Sequence, residues 1–403
     1  MKPKNILFIT TQLPFPPKSG GAIKSWNYVK NLDSNFKLGV ACFLKDNDIN
    51  HVEEFSNRTT LKNFIGLPLR MPRSAVNLLI SYFVSPCLNV FRNRSRKFKQ
   101  ALQGIIKDYD IIIIDHYEMF QYVPTAFKGK VVLHTHNAEF MLWKRMSELT
   151  SNPLKKLILK VEEWRVKRYE KKIIEQCHLI FSTPSDIALY KNEGFNTALF
   201  QTTFHLGNAS LLDLPTLKWE QTKPSLLFMG TLSWEPNIDG ILWFIERVWP
   251  EILKIHPDTI LNILGHQADQ RLLKAAGLTK NIEFAGFVND LENYLKHTRV
   301  FIVPLRFGSG MKVKVLDGLY RGNPMVTTSI GAEGIAVNDK QHLLVEDDAK
   351  GFAHACIELL ESRELWEKLS TNSRKVALEK YRWEPLFEKM TKDLIELYAN
   401  SSD

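Results

Sequence analysis

The chain has 403 residues, of which 44% are hydrophobic and 24% are charged. This mixture is typical of a folded globular protein and excludes a disordered, collagen-like or repeat architecture. The length predicts two domains, because a single core rarely grows beyond about 250–300 residues. The four cysteines, Cys42, Cys87, Cys177 and Cys356, lie far apart and have no metal-ligand spacing. We therefore expect reduced thiols in a cytoplasmic protein.

The formal net charge of +9 is concentrated in one window of the chain. Residues 55–107 contain ten Lys or Arg residues and no Asp or Glu, so the remainder carries a net charge of −1. A basic protein raises the question of a nucleic-acid partner, but this window contains no nucleic-acid-binding motif. We therefore predict no nucleic-acid partner and a local role for the positive charge.

Short apolar runs, separated by helical patterns, recur along the whole chain. In chain order they predict strands at 6–9, 38–44, 110–115, 131–134 and 179–182, and then at 225–229, 259–264, 282–284, 300–303 and 325–328. The first run is too short for a signal peptide. Strands that alternate with helices indicate βαβ units and parallel sheets. A loop-like stretch at 205–224 divides the two sets, so we predict two Rossmann-like α/β domains with a boundary there.

Ligands of open α/β sheets bind outside the carboxyl ends of the strands. Glycines and histidines are concentrated in the loops at those ends: Gly20, Gly21, His116, His134, His136, Gly230, Gly265, His266 and the loop after Pro304. If two such domains face each other, these loops surround one cleft. The first strand is not followed by G-x-G-x-x-G, which argues against a simple dehydrogenase.

The most informative segment is PLRFGSGMKVKVLDGLYRGNP, residues 304–324. A buried strand leads into a glycine-bearing turn, Gly308-Ser309-Gly310, and a helix is predicted to begin near Met311. Free N–H groups at a helix start bind phosphate, and glycines let the backbone approach the anion closely. A turn of this kind can also be a plain structural connection. The segment lacks the G-K-[ST] of a P-loop.

Three charged residues in this segment favour a phosphate site over a plain connection. Arg306 before the turn and Lys312 at the start of the helix supply positive charge. Asp317, further along the same helix, has the carboxylate needed to accept hydrogen bonds from ribose hydroxyls. We therefore predict a nucleotide site around residues 306–317.

The same segment resembles the donor-binding region of the family 4 (group 1) glycosyltransferases, which have the GT-B fold. Four other segments resemble the same family at matching places: the Gly-His pair after the strand at 259–264 and the runs MGTLSWEPNIDGILWFIERVWPEI, EFAGFVNDL and YRWEPLFEKMTKDLIELY. The resemblance covers most of residues 225–398 and is weaker over residues 1–200. It implies two Rossmann-like domains facing across a cleft, with the C-terminal helix crossing back to the first. Residues 1–205, completed by about 384–403, would bind the acceptor, and residues 206–383 would bind the nucleotide-sugar donor.

The resemblance also implies an activity. The expected enzyme is a glycosyltransferase that moves a sugar from a nucleotide-diphosphate sugar to a saccharide or lipid-linked acceptor. It would retain the anomeric configuration and use no metal and no cofactor beyond the donor. Its expected place is bacterial cell-surface polysaccharide or lipopolysaccharide biosynthesis. Arg306, Lys312 and the helix N-terminus would neutralise the charge of the leaving diphosphate.

The family often carries two glutamates, separated by seven residues, in the donor loop. Here Ser309 stands at the first of these positions and Asp317 at the second. Aspartate can still hold a ribose, whereas serine cannot supply the carboxylate that the first glutamate would offer to the sugar. We further expect the donor-binding residues to include Gly20, Gly21, Gly230, His266, Val288, Gly308, Gly310 and Met311, with backbone near Val288 recognising the base.

Three histidines of the first half are candidate catalytic residues. His134 and His136 follow one apolar strand, and His116 follows the preceding one. A lone histidine is often only structural, but two at one strand end favour a functional role. The family has a histidine near this position that contacts the sugar or the phosphate, and we favour His136 over His134 for that role.

Residues 74–91, SAVNLLISYFVSPCLNVF, carry no charge and have a polar residue at every fourth position: Asn77, Ser81, Ser85 and Asn89. On a helix this makes one polar stripe and a broad apolar face, which Pro86 would kink or split. One alternative is that this helix packs on the first domain's sheet. The other is that it lies in the interface of an anionic membrane, with residues 55–107 in peripheral contact. The basic helix predicted over 154–177 supports the membrane alternative, which would suit a lipid-linked acceptor.

Two other functions stay open. A nucleotide-sugar epimerase on the same fold would rearrange the donor without an acceptor, and it would need no basic apolar surface. A sugar-binding homologue without catalytic activity is kept open by Ser309, which replaces the expected carboxylate.

Overall fold

The computed structural model describes residues 5–399 except 18, 70, 73, 289 and 309, and it describes residue 46 by its backbone alone. The chain divides into two compact units. The first unit comprises residues 1–205 with 384–403, and the second comprises residues 206–383. Each unit is built on a parallel β-sheet accompanied by helices.

Within the described residues, the sheet of the first unit has seven strands. They are β1 (Asn5–Thr10), β2 (Lys37–Leu44), β3 (Asn63–Pro68), β4 (Ile111–Ile114), β5 (Lys130–His134), β6 (Leu179–Ser182) and β7 (Phe200–Thr202). Their order is β3-β2-β1-β4-β5-β6-β7, and all neighbours are parallel. The order reverses between β1 and β4. The crevice at the carboxyl ends of these two strands is therefore the topological switch point, where such sheets bind ligands.

The sheet of the second unit has six strands within the described residues. They are β8 (Lys223–Met229), β9 (Ile260–Leu264), β10 (Ile282–Gly286), β11 (Thr298–Val303), β12 (Met325–Thr327) and β13 (Leu344–Val345). Their order is β10-β9-β8-β11-β12-β13, again with parallel neighbours. The switch point of this sheet lies between β8 and β11.

Helices connect the strands. They are α1 (Gly20–Asn35), α2 (Val52–Asn57), α3 (Ala75–Val84), α4 (Leu88–Arg92), α5 (Arg96–Ile105), α6 (Glu139–Leu149), α7 (Pro153–Ile174), α8 (Pro184–Asn192), α9 (Glu235–Trp243), α10 (Trp249–Ile255), α11 (Gln270–Gly277), α12 (Leu291–His297), α13 (Val313–Arg321), α14 (Ser329–Ala332), α15 (Ala349–Glu361), α16 (Arg363–Lys380) and α17 (Trp383–Ala399). A turn of π-helix, Phe244–Val248, joins α9 to α10. Across the described ranges, no helix has both the length and the apolarity needed to span a bilayer.

The strands carry continuous apolar runs because both faces of each parallel sheet are covered. β4 consists of four isoleucines, and all four are buried. In the second unit, every residue of β11 is buried. The C-terminal helix belongs to the first unit, where Phe387 of α17 packs against Tyr28 of α1 with ring centroids 5.6 Å apart.

The structure also corrects the predicted elements. Three strands were missed because each gives a weak apolar signal: β3 is only partly buried, and β7 and β13 are three and two residues long. The helix expected near Met311 begins at Val313. Pro86 splits the stretch 74–91 into α3 and α4, which confirms that prediction.

Candidate active site

Asp115 lies at the switch point of the first unit, directly after β4, and is fully buried. Its Oδ2 atom accepts hydrogen bonds from the hydroxyl groups of Thr10, at the end of β1, and Ser25, in α1, at 2.8 and 2.6 Å. A buried carboxylate needs such donors, because desolvation penalises its charge. The two hydroxyl groups therefore fix Asp115 between the ends of β1 and β4.

The second carboxylate oxygen of Asp115 contacts two of the predicted histidines. Oδ1 lies 2.7 Å from Nδ1 of His134, the last residue of β5, and 3.1 Å from Nε2 of His136. The carboxylate can only accept, so each ring carries its proton on the nitrogen that faces Asp115. In the neutral rings, Nε2 of His134 and Nδ1 of His136 are then hydrogen-bond acceptors. His116 stacks on His136 with ring centroids 3.8 Å apart, and its Nδ1 lies 3.3 Å from Asp115 Oδ2.

Burial controls the charge of this cluster. It lowers the pKa of His134 to about 4, and the nearby Lys24 ammonium acts in the same direction. Burial, His116 and Lys24 together lower the pKa of His136 well below its usual range. For Asp115, burial acts to raise the pKa, but His136 and the other histidines outweigh it and hold the pKa well below the usual range. At neutral pH, Asp115 is therefore a carboxylate, while His134 and His136 are neutral.

A buried lysine that the sequence analysis did not single out lies next to this cluster. The Lys24 ammonium donates to the carbonyl of Thr135 at 3.1 Å and contacts Nε2 of His205. Burial lowers its pKa well below the usual range, and the charge of Asp115 opposes that effect. Lys24 of α1 is therefore a further basic group that is coupled electrostatically to the buried carboxylate.

Helix α1 begins at the same place. Its N-cap is Ser19, whose hydroxyl accepts from the N–H group of Ala22, and Gly20 and Gly21 are its first two residues. A Cβ atom added at Gly21 would lie 3.8 Å from Nδ1 of His136. The acceptor nitrogen of His136 thus faces the first turn of α1, where backbone N–H groups lack helical partners. One acceptor and several donors converge beside Gly21, which suits a sugar hydroxyl group.

The ligand atoms of Asp115, His134 and His136 lie within 4.8 Å of one another and are of types that bind transition metals. Their spacing favours hydrogen bonds instead. Two ligands of a tetrahedral zinc ion, each at about 2.0–2.1 Å, lie about 3.3 Å apart. Oδ1 of Asp115 is only 2.7 Å from Nδ1 of His134. We interpret the cluster as a hydrogen-bonded network, and the absence of a metal from the reaction stays a prediction.

The switch point of the second unit contains the predicted donor loop. Gly308 and Gly310 have φ angles of 144° and 72°, in the region that favours glycine. A Cβ atom at Gly308 would lie 3.7 Å from the ring of Trp234, in the loop after β8. The loops after β8 and β11 therefore pack against each other, and Met311 is buried in the second of them. Ser309 lies outside the described residues.

The two predicted phosphate ligands both contact carboxylates of the second unit. Arg306 donates to Asp239 of α9, with Nε 2.8 Å from Oδ2 and Nη2 2.5 Å from Oδ1. Lys312 is buried at the N-cap of α13 and donates to the carbonyl of Gly310, and its Nζ lies 3.6 Å from Oε2 of Glu333. A diphosphate would compete with these carboxylates, so the roles of Arg306 and Lys312 stay predictions.

Lys314, in the first turn of α13, was not among the predicted residues. Its Nζ donates to Oδ1 of Asn237 at 2.7 Å and lies 4.2 Å from the ring centroid of Phe228. A Cβ atom added at Gly230 would lie 2.7 Å from the same Nζ, so glycine makes room for the ammonium group. Burial, assisted by Lys312, lowers the pKa of Lys314 to about 7. Within the described part of the chain no carboxylate pairs with Lys314, which makes it a candidate ligand for an anion.

Asp317 is buried in α13, where its carboxylate accepts a hydrogen bond from the backbone N–H of Asn208 at 2.7 Å. A Cβ atom added at Gly207 would lie 2.1 Å from Oδ1 of Asp317, so only glycine allows this approach. Burial raises the pKa of Asp317 to about 7, and the hydrogen bond from Asn208 partly offsets the effect. The carboxylate of Asp317 therefore fixes the backbone at Asn208, near the start of the second unit. Its contact with a ribose stays a prediction.

Three further predicted residues, Gly230, His266 and Val288, follow the adjacent strands β8, β9 and β10. Gly265 lets the first two loops meet, because a Cβ atom there would lie 1.9 Å from the carbonyl oxygen of Gly230. His266 is half-buried, with its ring centroid 6.2 Å from that of Phe287, and Val288 is half-buried in the next loop. The structure thus brings these residues to the carboxyl edge of the second sheet.

The comparisons with known proteins agree with this arrangement. Residues 223–362, from β8 to α15, match the sequence model of the family described as Glycosyl transferases group 1. Over 402 residues the chain is 23% identical to an uncharacterized 44.6 kDa protein in the cps region of Klebsiella pneumoniae, which covers 96% of this chain and 99% of the relative.

Two solved structures are similar over nearly the whole chain. Sucrose-phosphate synthase from Thermosynechococcus elongatus has a TM-score of 0.73 at 16% identity, covering 98% of this chain and 100% of that one. HepE from Anabaena, in complex with UDP and glucose, has a TM-score of 0.67 at 11% identity, covering 97% and 99%. At these identities the likeness establishes the fold alone.

The fold is therefore GT-B, with two α/β units, as the sequence predicted. The family match over residues 223–362, which contains both loops of the second switch point, confirms the resemblance predicted for that region. The second unit is therefore similar in sequence to the group 1 glycosyltransferases, and the chain shares the fold of the solved structures that it matches.

Proposed function

We propose that the protein transfers a sugar from a nucleotide-diphosphate sugar to a hydroxyl group of a saccharide or lipid-linked acceptor. The observation that carries the proposal is the pair of ammonium groups at the start of α13, the buried Lys312 beside Gly310 and the half-buried Lys314 beside Gly230. Positive charge, glycines and a helix N-terminus together suit phosphate oxygens. HepE, whose complex contains UDP and glucose, supports uridine diphosphate as the nucleotide. The relative in a cps region supports a place in cell-surface polysaccharide synthesis.

The diphosphate is the part of the donor on which charge develops as the sugar carbon separates from the phosphate oxygen. In the proposal, Lys314 and Lys312 bind diphosphate oxygens, and the unpaired N–H groups of the first turn of α13 add to their effect. Lys312 is buried and Lys314 is half-buried, so solvent screens their attraction to the leaving group less than at an exposed site. Arg306 contributes after the diphosphate displaces Asp239.

The other donor contacts are assigned to the same edge of the second sheet. Asp317 is proposed to hold the ribose, while His266 and the backbone near Val288 lie toward the base. The glycine-bearing loops at Gly230, Gly308, Gly310 and Met311 are assigned to the phosphates and the sugar, and the predicted role of Ser309 in the donor loop is kept. The helix start at Gly20 and Gly21 is assigned to substrate hydroxyl groups in the first unit.

In the first unit, the central residue of the proposal is His136. Its Nδ1 is an acceptor directed at the first turn of α1, so it can accept a hydrogen bond from a sugar hydroxyl. Asp115 fixes the tautomer, as the aspartate of a Ser-His-Asp triad does. His134 and His116 complete the network around the same carboxylate. The proposed reaction retains the anomeric configuration and uses no metal, with the acceptor hydroxyl attacking the face that the diphosphate leaves.

A lipid-linked acceptor would be presented at a membrane surface. The proposal therefore includes peripheral contact of this chain with the cytoplasmic face of an anionic membrane, through the basic window of residues 55–107. The excess of positive charge in that window supports the contact, because anionic lipids attract polybasic segments. Lipopolysaccharide or capsular intermediates are acceptors of this kind.

Thermal unfolding with UDP, GDP, ADP, CMP and TDP in turn tests the donor site. A ligand of the native state raises the melting temperature by mass action. We expect one nucleoside diphosphate to do so, and we expect Lys314→Met combined with Lys312→Met to remove the increase. If no nucleotide stabilises the protein, the donor proposal fails and a sugar-binding homologue without activity takes its place.

Product analysis separates transfer from epimerisation. The nucleotide sugar that matches the stabilising nucleotide is incubated with and without saccharide acceptors, in the presence of EDTA. We expect release of the nucleoside diphosphate to require the acceptor, and NMR of the product to show the anomeric configuration of the donor. Rearrangement of the sugar without an acceptor would favour the epimerase. Loss of activity in EDTA would contradict a metal-free reaction.

A further inference from the structure

Helix α3 exposes an apolar face. Val76, Leu79, Ile80 and Phe83 follow the spacing i, i+3, i+4, i+7, so they lie on one side of the helix. All four are exposed, and Phe83 retains 88% of its accessible surface. Single exposed apolar residues are ordinary, but a contiguous row of four on one helix marks a surface that is covered in function.

The polar side of α3 faces the protein. Ser81 is fully buried; its hydroxyl accepts from Nη1 of Arg165 at 3.1 Å, and its carbonyl accepts from Nη2 at 2.7 Å. Arg165 belongs to α7, is itself buried, and stacks 4.4 Å from the ring centroid of Tyr82. These contacts fix the rotation of α3 and hold its apolar face outward. A helix that served the fold alone would show the opposite orientation, with Phe83 inside.

Helix α7 adds apolar surface beside this contact. Leu154, Leu157 and Trp164 are exposed and lie on one side of the helix, away from the buried Leu159. The guanidinium of Arg168 lies 5.6 Å from the ring centroid of Trp164. Tryptophan beside a cationic side chain is typical of the boundary between lipid headgroups and acyl chains.

Apart from the buried Glu162, which pairs with Arg165, the charged groups described next to α3 are basic. Arg94 donates to the carbonyl of Val84, at the C-terminal end of α3, at 3.3 Å. Exposed basic residues continue along α5 with Arg96, Lys97 and Lys99, and along α7 with Lys155 and Lys160. No acidic residue occurs between residues 55 and 107. Two more arginines of this window, Arg70 and Arg73, lie outside the described residues.

We propose that the outward face of α3, with the exposed Leu154, Leu157 and Trp164 of α7, docks into the interfacial region of an anionic lipid bilayer. The apolar row matches the acyl boundary and the surrounding cations match anionic headgroups. With 10 residues, α3 is about 15 Å long, half of what a spanning helix needs, so it lies in the interface plane. This inference rests on the proposed function in one respect, since a lipid-linked acceptor is the reason for the chain to meet a membrane.

A fluorescent label at position 83 tests the insertion directly. The four native cysteines are buried, so Phe83→Cys provides one reactive thiol for a polarity-sensitive dye. Leu278→Cys, at a position 81% exposed in the second unit, is the matched control. With vesicles of equal parts phosphatidylcholine and phosphatidylglycerol, we expect a blue shift and brightening at position 83 and no change at 278. With phosphatidylcholine alone, the response at 83 should be much weaker.

Vesicle sedimentation of unlabelled protein tests the apolar row. We expect Leu79→Ser combined with Phe83→Ser to lower the partition coefficient about tenfold or more, because two apolar side chains no longer leave water. Leu278→Ser should bind as the wild type does. Arg96→Glu combined with Lys97→Glu, or high salt, should also weaken binding. A wild type that ignores anionic vesicles, or a doubly substituted α3 that still binds them, overturns the proposal. The proposal is also overturned if the wild type is a dimer and Phe83→Ser changes only the oligomeric state, without changing vesicle binding.

The nucleotide-dependent increase in melting temperature separates this inference from the proposed donor site. Vesicle binding is measured without donor or acceptor. If nucleotide stabilises the protein but vesicles do not bind, the docking surface and the proposed membrane contact are wrong, and the donor site stands. If vesicles bind through α3 and no nucleotide stabilises the protein, only the donor proposal is wrong.

Discussion

Nε2 of His136 lies 3.1 Å from Oδ1 of Asp115, a carboxylate that is fully buried at the end of β4. This contact determines which ring nitrogen of the imidazole is available to a substrate. Because the proton is held on Nε2, Nδ1 is left as an acceptor beside the first turn of α1. The availability of Nδ1 of His136 as a hydrogen-bond acceptor therefore depends on Asp115.

Replacing Asp115 with asparagine tests this dependence. In Asp115→Asn the amide nitrogen can donate to Nε2, which would move the ring proton to Nδ1 and turn the acceptor into a donor. We expect kcat to fall about 100-fold or more, with a much smaller change in KM for the donor. Steady-state kinetics and far-ultraviolet circular dichroism check this result. Asp108→Asn, at an exposed position nearby, should keep wild-type activity. Full activity in Asp115→Asn would remove Asp115 and the tautomer argument from the mechanism.

Lys314 was not among the residues predicted from the sequence, but we expect it to contribute to nucleotide binding. Lys314→Met keeps the length of the side chain and removes the charge. We expect the Kd of the nucleoside diphosphate to rise roughly 10- to 100-fold, the range for loss of one charge-assisted hydrogen bond. Isothermal titration calorimetry measures this, with Lys274→Met on the exposed side of α11 as the control. An unchanged Kd would assign Lys314 to packing against Phe228 alone.

The sequence predicted most strands of the two sheets because their signal is local. The four isoleucines of β4 and the apolar run of β11 identify buried parallel strands without any tertiary information. The predicted site residues also lie at strand ends, since those ends can be read from the same runs. What the sequence could not show is which distant groups meet there.

Asp115 illustrates that gap. The residue follows four isoleucines, and its position after a buried strand was a signal that the sequence analysis did not use. Its hydrogen-bond partners Thr10 and Ser25, however, lie 105 and 90 residues away along the chain. Lys314 gave a different signal. A basic residue in the first turn opposes the helix dipole, so it is unfavourable there unless an anion binds nearby.

Helix α3 shows the same limit for surfaces. The polar residues Asn77 and Ser81 define a stripe in the sequence, and a stripe normally faces water. Only the structure shows that Ser81 is buried against Arg165 and that Phe83 faces outward. The rotation of a helix depends on partners that the periodicity of its own sequence does not contain.

Nucleotide binding should weaken as pH rises above neutrality. Lys314 has a pKa of about 7 without ligand, so it is charged below that pH and increasingly neutral above it. A diphosphate binds the charged form and raises the pKa, so binding takes up a proton above neutral pH. We expect Kd to increase between about pH 7 and pH 9, by at most about tenfold per pH unit. Calorimetry in buffers of different ionisation enthalpy measures the proton uptake. Lys314→Arg should bind with little pH dependence, and a flat wild-type profile would contradict the assignment.

Asp317 should make the stability of the protein depend on pH in the acidic range. Its pKa is raised by burial to about 7, whereas the unfolded side chain titrates near 3.8. The native state therefore holds an extra proton between these values, and this contribution to stability is lost as pH rises through about 7. Asp317→Asn keeps an acceptor for Asn208 and removes the titration. We expect its melting temperature, relative to the wild type, to increase by several degrees between about pH 4 and pH 8. A constant difference across that range would rule out this linkage.

A pair of glycine substitutions tests whether the edge of the second sheet requires the close contact between its loops. A Cβ atom at Gly265 would lie 1.9 Å from the carbonyl oxygen of Gly230, and the φ of 155° is one that side chains rarely adopt. Gly277, the last residue of α11, has no atom within 4 Å of such a Cβ. We expect Gly265→Ala to lower the free energy of unfolding by at least about 2 kcal/mol, because the backbone of the loop must move. Gly277→Ala should raise it by about 0.4–1 kcal/mol through the unfolded state. Urea unfolding of both variants provides the comparison. If both variants have the same free energy of unfolding, the loop at Gly265 can move at little cost and does not fix the position of His266.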